Sequence, residues 1–397
     1  MEILRNLARR KLRSTLTILG IVIGIFALTT MGALAEHFNA LINGGVKYFG
    51  ASVQVGPPDG QAAILPLSKL DELRQVDGVD AVFPSYGFLA NPGAVNVVNF
   101  NVPDEIVGSD PGETRYDVLN VHTAKGRNLS SESRGEVVLG SSMAVEFKKN
   151  VGDTIDLPIR PKDAKPDFVN HTFTVVGILA PTRTAPDNFA YVSIGDAQML
   201  FKDTLPVAIR NTVDAGRVAS GFTVYGKPGT SLSELDAIAG RINQQVSGVK
   251  ATKPSDLVNS FKSGGATFTA ITTAAAILAL VIGGLSVVNT MIMAVNERIR
   301  EIGLKKALGA HTGQVMRDYL LEAAVIGAIG GLVGYALGLG LTSLVTAAGG
   351  SSLDIFLVTP RLTAIALGFA VAMATLAGVL PALRAARLDP VAALRSL

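Results

Sequence analysis

The sequence predicts an α-helical membrane protein that carries a large α+β domain on one side of the bilayer. Three observations predict it. Four apolar stretches, Leu16–Leu34, Ala270–Val295, Ala323–Ala348 and Thr363–Leu380, contain no Lys, Arg, Asp or Glu; a polar segment, residues 35–269, separates the first two; and cations gather on one set of flanks. A helix rises about 1.5 Å per residue, so 18 or more apolar residues cover the roughly 30 Å hydrocarbon core. The chain is 48% hydrophobic and only 17% charged, averages that conceal this division into uncharged spans and a polar insert.

The cations set the orientation. Arg5, Arg9, Arg10, Lys11 and Arg13 precede the first stretch. Arg298, Arg300, Lys305, Lys306 and Arg317 lie between the second and third, and Arg384, Arg387 and Arg395 follow the fourth. The positive-inside rule places all three segments in the cytoplasm. Both termini are then cytoplasmic, and residues 35–269 and the loop Gly349–Leu362 face outward. The expected location is the plasma (inner) membrane, crossed several times. Ala33-Leu34-Ala35 resembles a signal cleavage site, but the apolar run exceeds the roughly 7–15 residues of a signal core. Gly20-x-x-x-Gly24 suits helix packing in lipid, so a retained anchor is expected. Without cysteine, the outer domain has no disulfide or thiol chemistry and must rest on its own core. Without Trp, anchoring at the membrane interface falls to Tyr319 and Phe268.

One pattern occurs twice in the polar segment. Residues 76–84 and 246–254 share V-x-G-V-x-A-x-x-P, with Gly78 and Gly248 at the same place. Each copy follows apolar residues at helical spacing: Leu67, Leu70, Leu73 and Val76, then Leu232, Leu235, Ile238, Ile242 and Val246. Each helix follows a β-rich run, Ser52–Val55 or Phe222–Tyr225. Two strand–helix–strand units predict a split α/β sandwich, about 51–103 and 216–254, with a second module looped out at about 104–215. In that insert Glu136–Leu139, Asp153–Leu157, Thr172–Leu179 and Ala190–Val192 read as strands. At the membrane edges, Phe38, Leu41 and Ile42 carry the first helix outward until Gly44-Gly45. Leu257, Val258 and Phe261 form a similar face that ends at Gly264-Gly265. These extensions read as a paired stalk or as two separate juxtamembrane helices.

Catalytic patterns are weak. Gly221 to Lys227 fits most of a phosphate loop, but Pro228 replaces the magnesium-binding hydroxyl and the run reads as a strand. His37, His122, His171 and His311 have no metal spacing. The chain is read as no enzyme, with no cofactor or metal of its own and no nucleic-acid partner.

Two features remain. Gly327, Gly330, Gly331, Gly334 and Gly338 give the third stretch three overlapping G-x-x-x-G spacings, suited to close packing within the bundle or to sliding and dimerisation. Between the second and third stretches lies a charged amphipathic helix. It places Ile299, Ile302 and Gly303 on one side and stacks Glu297, Glu301 and Lys305 on another at i, i+4. Such a helix suits docking into a groove of a soluble partner, or a seat on anionic headgroups.

The same segment, Glu297 to Ala310, resembles the E-R-x-R-E-I-G-x-x-K-A-x-G-A signature of MacB/FtsX-type ABC transporter permeases, the mechanotransmission (type VII) family. Tyr319 to Ala324, Gly330 to Gly334 and a tail from Pro381 to Arg395 with Asp389-Pro390 are similar to further family patterns, as are Asn6 to Ile21 and Glu136 to Gly140. The resemblance implies a ferredoxin-like porter part with a β-rich insert in residues 35–269. It implies spans at about 270–295, 320–348 and 363–383, a coupling helix at 297–310 and a tail at 384–397, after an N-terminal segment and span at 1–34. It also implies a permease dimer, homomeric or with a related permease, embedded in lipid. Its ABC ATPase, which binds the ATP and magnesium, is expected in trans, with room for a membrane-fusion adaptor. Contacts to that ATPase are expected at Glu297, Arg298, Arg300, Glu301, Ile302, Gly303, Lys305, Lys306, Gly309 and Ala310. Helix packing is expected at Gly20, Gly24 and the glycines of the third stretch. Two functions follow: export or extraction of an amphiphile (peptide, lipoprotein or antibiotic), or FtsX-like activation of a cell-wall hydrolase without transport.

Overall fold

The computed structural model describes residues 11–58, 64–92, 103–162, 164, 166–205, 210–349 and 355–389. Arg5, Arg9, Arg10 and Arg395, which contribute to the orientation argument, lie outside them. The chain forms two compact units, one holding the residues up to His37 and nearly all from Thr267 onward, the other Phe38–Ala266.

The first unit is helical. Helices α1 (Lys11–Phe49), α6 (Pro254–Glu297), α8 (Thr312–Gly349) and α9 (Pro360–Ala386) are each long and apolar enough to cross a membrane. Small residues bring them together. A methyl group added at Gly334 would lie 2.6 Å from the Val22 carbonyl oxygen of α1, and one at Gly330 would lie 2.8 Å from Ile21. On the adjoining side of α8, Gly327 and Gly331 meet Ala374 and Ala370 of α9, each at 2.6 Å. Gly338 packs against Thr29 of α1. Gly20 and Gly24 of α1 face Ser286 and Ala279 of α6, at 2.5 and 3.2 Å. The glycine stripe is therefore occupied by neighbours within the chain. In lipid, where water drives no helix association, such close approach supplies the attraction. Hydroxyls within the spans bond locally, as where Thr29 donates to the Ile25 carbonyl at 2.7 Å. Tyr319 is 7% exposed and packed among the helices.

The second unit contains two larger sheets. Strands β1 (Val53–Gly56), β3 (Ala81–Ser85), β12 (Gly221–Tyr225) and β13 (Lys250–Thr252) form an antiparallel sheet in the order β13-β1-β12-β3. A short antiparallel pair, β2 (Leu65–Pro66) and β11 (Val218–Ala219), accompanies it. Helices α2 (Lys69–Arg74) and α5 (Leu232–Gln245) complete the two strand–helix–strand repeats. The order is that of a ferredoxin-like split α/β sandwich. The repeated glycine has a physical cause. Gly78 and Gly248 both adopt positive φ, +90° and +76°, in the turn from helix to strand, a conformation that costs an L-residue about 1–2 kcal/mol. Val76 and Val246 beside them are buried in the core with Leu73, Phe222, Ile238 and Ile242. Ser231 caps α5, its amide donating to Glu234 Oε2 at 2.8 Å in a capping box.

The insert is a mixed sheet: β4 (Gly87–Leu89), β5 (Glu105–Ser109), β10 (Phe189–Ser193), β7 (Glu136–Leu139), β9 (His171–Leu179) and β6 (Thr123–Gly126), with β8 (Thr154–Leu157) against β9. The pairs β5–β10 and β7–β9 are parallel. Two helices that the strand pattern does not announce accompany it. Helix α3 (Ser141–Glu146) buries Met143 and Ala144. Helix α4 (Ile194–Thr204) buries Ala197, Leu200 and Phe201, and Ser193 caps it.

The stalk corrects one expectation. Neither glycine pair ends its helix: α1 continues through Gly44-Gly45 to Phe49, and α6 runs unbroken through Gly264-Gly265. Gly45 and Gly265 are points of close approach instead. A methyl group on Gly45 would sit 3.0 Å from the Phe261 ring, and one on Gly265 would collide with Ile42. Phe49 stacks on Phe261 at 5.2 Å. The two extensions pair.

Two α8 glycines separate packing from propensity. Gly334→Ala is expected to lower the unfolding temperature in detergent, since no backbone atom can yield. Gly340, with nothing within 4 Å of an added methyl group, should tolerate alanine or gain up to about 1 kcal/mol. Equal melting of the two variants would refute the packing role.

Candidate functional site

The charged segment between α6 and α8 breaks from α6 at Arg298, whose φ of −108° and ψ of 19° leave the helical region. Helix α7 (Ile299–Ala307) follows. Its end is a Schellman turn: Gly309 takes φ +98°, its amide donates to the Lys306 carbonyl (3.1 Å), and the Ala310 amide donates to the Lys305 carbonyl (3.0 Å). The Gly-Ala pair of the signature therefore closes a helix. His311 then starts α8, its amide donating to Gln314 Oε1 at 3.1 Å.

Side chains on α7 divide by direction. Ile302 and Gly303 are buried, Ile302 in a cluster with Val295, Val315, Tyr319, Ala382 and Ala386. Arg298 is turned inward, where Nη1 donates to Glu322 Oε2 of α8 at 3.3 Å. Lys306 reaches α9: its Nζ donates to the Ala386 carbonyl at 2.9 Å and the Leu388 carbonyl at 2.7 Å. The Ala386 carbonyl, at the end of α9, has no partner within the helix and carries its negative dipole end, so an ammonium satisfies both needs; the Leu388 carbonyl lies just past it. Lys305, by contrast, is exposed and lies 3.6 Å from Asp318.

The exposed ridge comprises Arg300, Leu304 and Leu308 at i, i+4 spacing, flanked by Glu297, Glu301 and Lys305. Leu308 is 81% exposed and Leu304 54%. Charge pattern alone does not single out these leucines, although their spacing from Arg300 is visible in the sequence. Beside the ridge, Val295, Ile299, Leu380 and Leu383 line a groove of about 520 Å³ bordered by the exposed Arg384 and Arg387. Of the ten residues expected to meet a partner, Arg300, Glu301, Lys305, Glu297 and Gly309 are exposed; Ile302 and Gly303 are buried, Arg298 and Lys306 act as internal tethers, and Ala310 is half-buried in the turn.

Elsewhere the geometry offers no reaction centre among the described residues. The run Gly221–Tyr225 is β12, one of the two inner strands, hydrogen-bonded to β1 and β3, so its amides form no phosphate cradle. His171 pairs with Asp203 at 2.7 Å. Among the described residues no cluster of His, Asp and Glu could hold a metal.

Residues 14–242 match the MacB-like periplasmic core domain, and residues 273–390 match the FtsX-like permease C-terminal domain. The chain belongs to the MacB/FtsX-type family of ABC transporter permeases and is an inner-membrane protein. Over 98% of its length it is 27% identical to the macrolide export ATP-binding/permease protein MacB of Bdellovibrio bacteriovorus, covering 60% of that protein. Over 97% it is 27% identical to the pyoverdine export ATP-binding/permease protein PvdT of Pseudomonas fluorescens, covering 57%. The chain thus spans about three fifths of the length of the curated relatives it matches. A crystal structure of the extracellular domain of the noncanonic ABC-type transporter YknZ from Gram-positive bacteria is similar at 12% identity and a TM-score of 0.30, covering 51% of this chain and 99% of that one.

The tethers predict unequal lysines. Lys306→Met should destabilise the protein by about 1.5–3 kcal/mol, the range for hydrogen bonds to a charged group. Lys305→Met should cost less than about 1 kcal/mol, since its ion pair is exposed. Thermal unfolding in detergent distinguishes them, and matching melting curves would exclude the capping role.

Proposed function

We propose that this chain is the membrane-spanning part of an ABC exporter, in which ATP hydrolysis by a partner module moves the outer domain. The observation that carries this reading is α7. Its inner face is fixed to α8 by Arg298 and to the end of α9 by Lys306, while its outer face presents a charged ridge with two exposed leucines. Exposed apolar side chains within a ring of charge suit a groove in a soluble partner. A helix tied down on both sides cannot yield to a push without moving its neighbours.

Motion has a continuous route outward. Helix α6 runs without a break from the stalk segment at Pro254 to Glu297, immediately before α7. Helix α1 likewise continues to Phe49, and the two meet through Gly45, Phe261, Ile42 and Gly265. In this reading α7 is cytoplasmic and residues 35–269 lie outside. Two copies of the chain act together, and ATP and magnesium are bound by the ATPase. The relatives named for macrolide and pyoverdine export support an amphiphilic cargo.

Reconstitution of the chain with a candidate ABC ATPase subunit tests the contact surface. Arg300→Glu and Leu308→Asp should each weaken stimulation of ATP hydrolysis by about tenfold or more, the effect of losing roughly 1.4 kcal/mol of docking energy. Full stimulation by both variants would reject α7 as the docking element.

A further inference from the structure

The second unit holds a cavity of about 490 Å³ that the mechanism above does not use. It lies among the end of α1 (Tyr48, Phe49), strands β3 and β12 of the sandwich, and β5, β10 and the turn Pro111–Tyr116 of the insert. Its size falls within the range of small-molecule sites, about 300–1,000 Å³. Its lining has a consistent chemistry. Tyr48, Tyr116, Tyr191 and Tyr225 contribute aromatic surface, as do Phe49 and Phe189. Tyr116 and Tyr225 stack at 4.5 Å, and Phe189 lies 6.3 Å from Tyr48 and 6.0 Å from Tyr191. Four carboxylates line the space, Glu105, Asp110, Glu113 and Asp117, and no Lys, Arg or His among the described residues does.

Not all of these groups are committed to the fold. Asp117 accepts from the amides of Leu119 and Val121, and Asp110 from that of Gly112, so these two shape the loop. Tyr116 donates to Asp80 at 2.6 Å. Glu105 and Glu113 have no cation partner among the described residues, and the hydroxyls of Tyr48 and Tyr191 have no hydrogen-bond partner among them. Arg115 lies over the Tyr116 ring at 5.8 Å, but it is exposed and does not line the cavity. Burial, with Asp110 nearby, pushes the Glu113 carboxyl up to about 8. Burial and the carboxylates of Glu113, Glu105 and Asp117 push the Tyr48 hydroxyl up to about 12. Acidic groups accumulate here without a cationic partner among the described residues, and burial raises the Glu105 carboxyl as well. Aromatic faces attract cations, and paired carboxylates supply the complementary charge.

We propose that this cavity binds an organic cation, a positively charged centre carried on an apolar or aromatic body, with Glu105 and Glu113 as counter-ions and the tyrosine rings as walls. The inference deepens the export reading by naming the chemistry of a cargo, and it rests on that reading only for the word cargo; binding itself requires no ATPase.

The test uses two isosteric probes, tetraphenylphosphonium and tetraphenylborate, titrated calorimetrically into the purified full chain in detergent. The cation should bind saturably at one site and the anion should not. At pH 9, where Glu113 is ionised, Glu113→Gln should weaken cation binding about tenfold through loss of one nearby charge, whereas Asp71→Asn, on an exposed helix, should leave it unchanged. Should Glu113→Gln melt early, Glu105→Gln reads the same effect. Affinity for the permanently charged probe should also rise between pH 7 and 9 as Glu113 loses its proton, in a site it shares with Glu105, Asp110, Asp117, Tyr48, Tyr116, Tyr191 and Tyr225. Equal binding of both probes, or cation binding indifferent to Glu113 and Glu105, would overturn the proposal. Either result would leave ATPase stimulation through α7 untouched, so the two readings fail separately.

Discussion

One ammonium group does most to fix which face of α7 is exposed. Lys306 spans from α7 to the last carbonyl of α9 and to that of Leu388 just beyond it, and with Arg298 bound to Glu322 it leaves the helix no freedom to roll. Ile302 and Gly303 then point into the bundle, and Arg300, Leu304 and Leu308 point out. Two sequence motifs some 80 residues apart thereby become one structure. The attraction is strong for an elementary reason. The terminal carbonyls of a helix are unsatisfied and electronegative, and an ammonium brought to them half-buried has little competing water.

Glycine serves three separate purposes here, and only tertiary context tells them apart. At Gly78, Gly248 and Gly309 the backbone takes positive φ and turns out of a helix. At Gly265, Gly330 and Gly334 the missing side chain lets another helix approach. At Gly264 and Gly340 no neighbour lies close enough to matter. The second use dominates in the spans, where close packing replaces the hydrophobic effect as the source of association.

That threefold ambiguity marks the limit of what sequence can tell. The four spans are legible because a soluble fold rarely sustains uncharged apolar runs of that length. The repeated helix–turn–strand is legible because Gly78 and Gly248 occupy the same position in two copies of one pattern. Gly44-Gly45 and Gly264-Gly265 read as helix ends and are not, since glycine stops a helix or packs it and the letter alone does not say which. Arg298 and Lys306 read as surface charges because their partners, Glu322 and the carbonyls of Ala386 and Leu388, lie 24 to 82 residues away. The exposed leucines are overshadowed by the charges beside them. Strand β5 and its parallel pairing with β10 leave no local sign, because residues that meet in parallel across a sheet are distant in sequence.

Transmission through α1 and α6 is the central claim of the proposed function, and the absence of native cysteine makes it directly measurable. Spin labels attached at Asn39→Cys and Lys262→Cys, both exposed in the stalk segments, report the separation of the two helices by pulsed electron resonance. In the complex with the ATP-binding partner, the distance distribution should shift between the nucleotide-free and ATP-bound states. Identical distributions in both states would contradict transmission through the stalk.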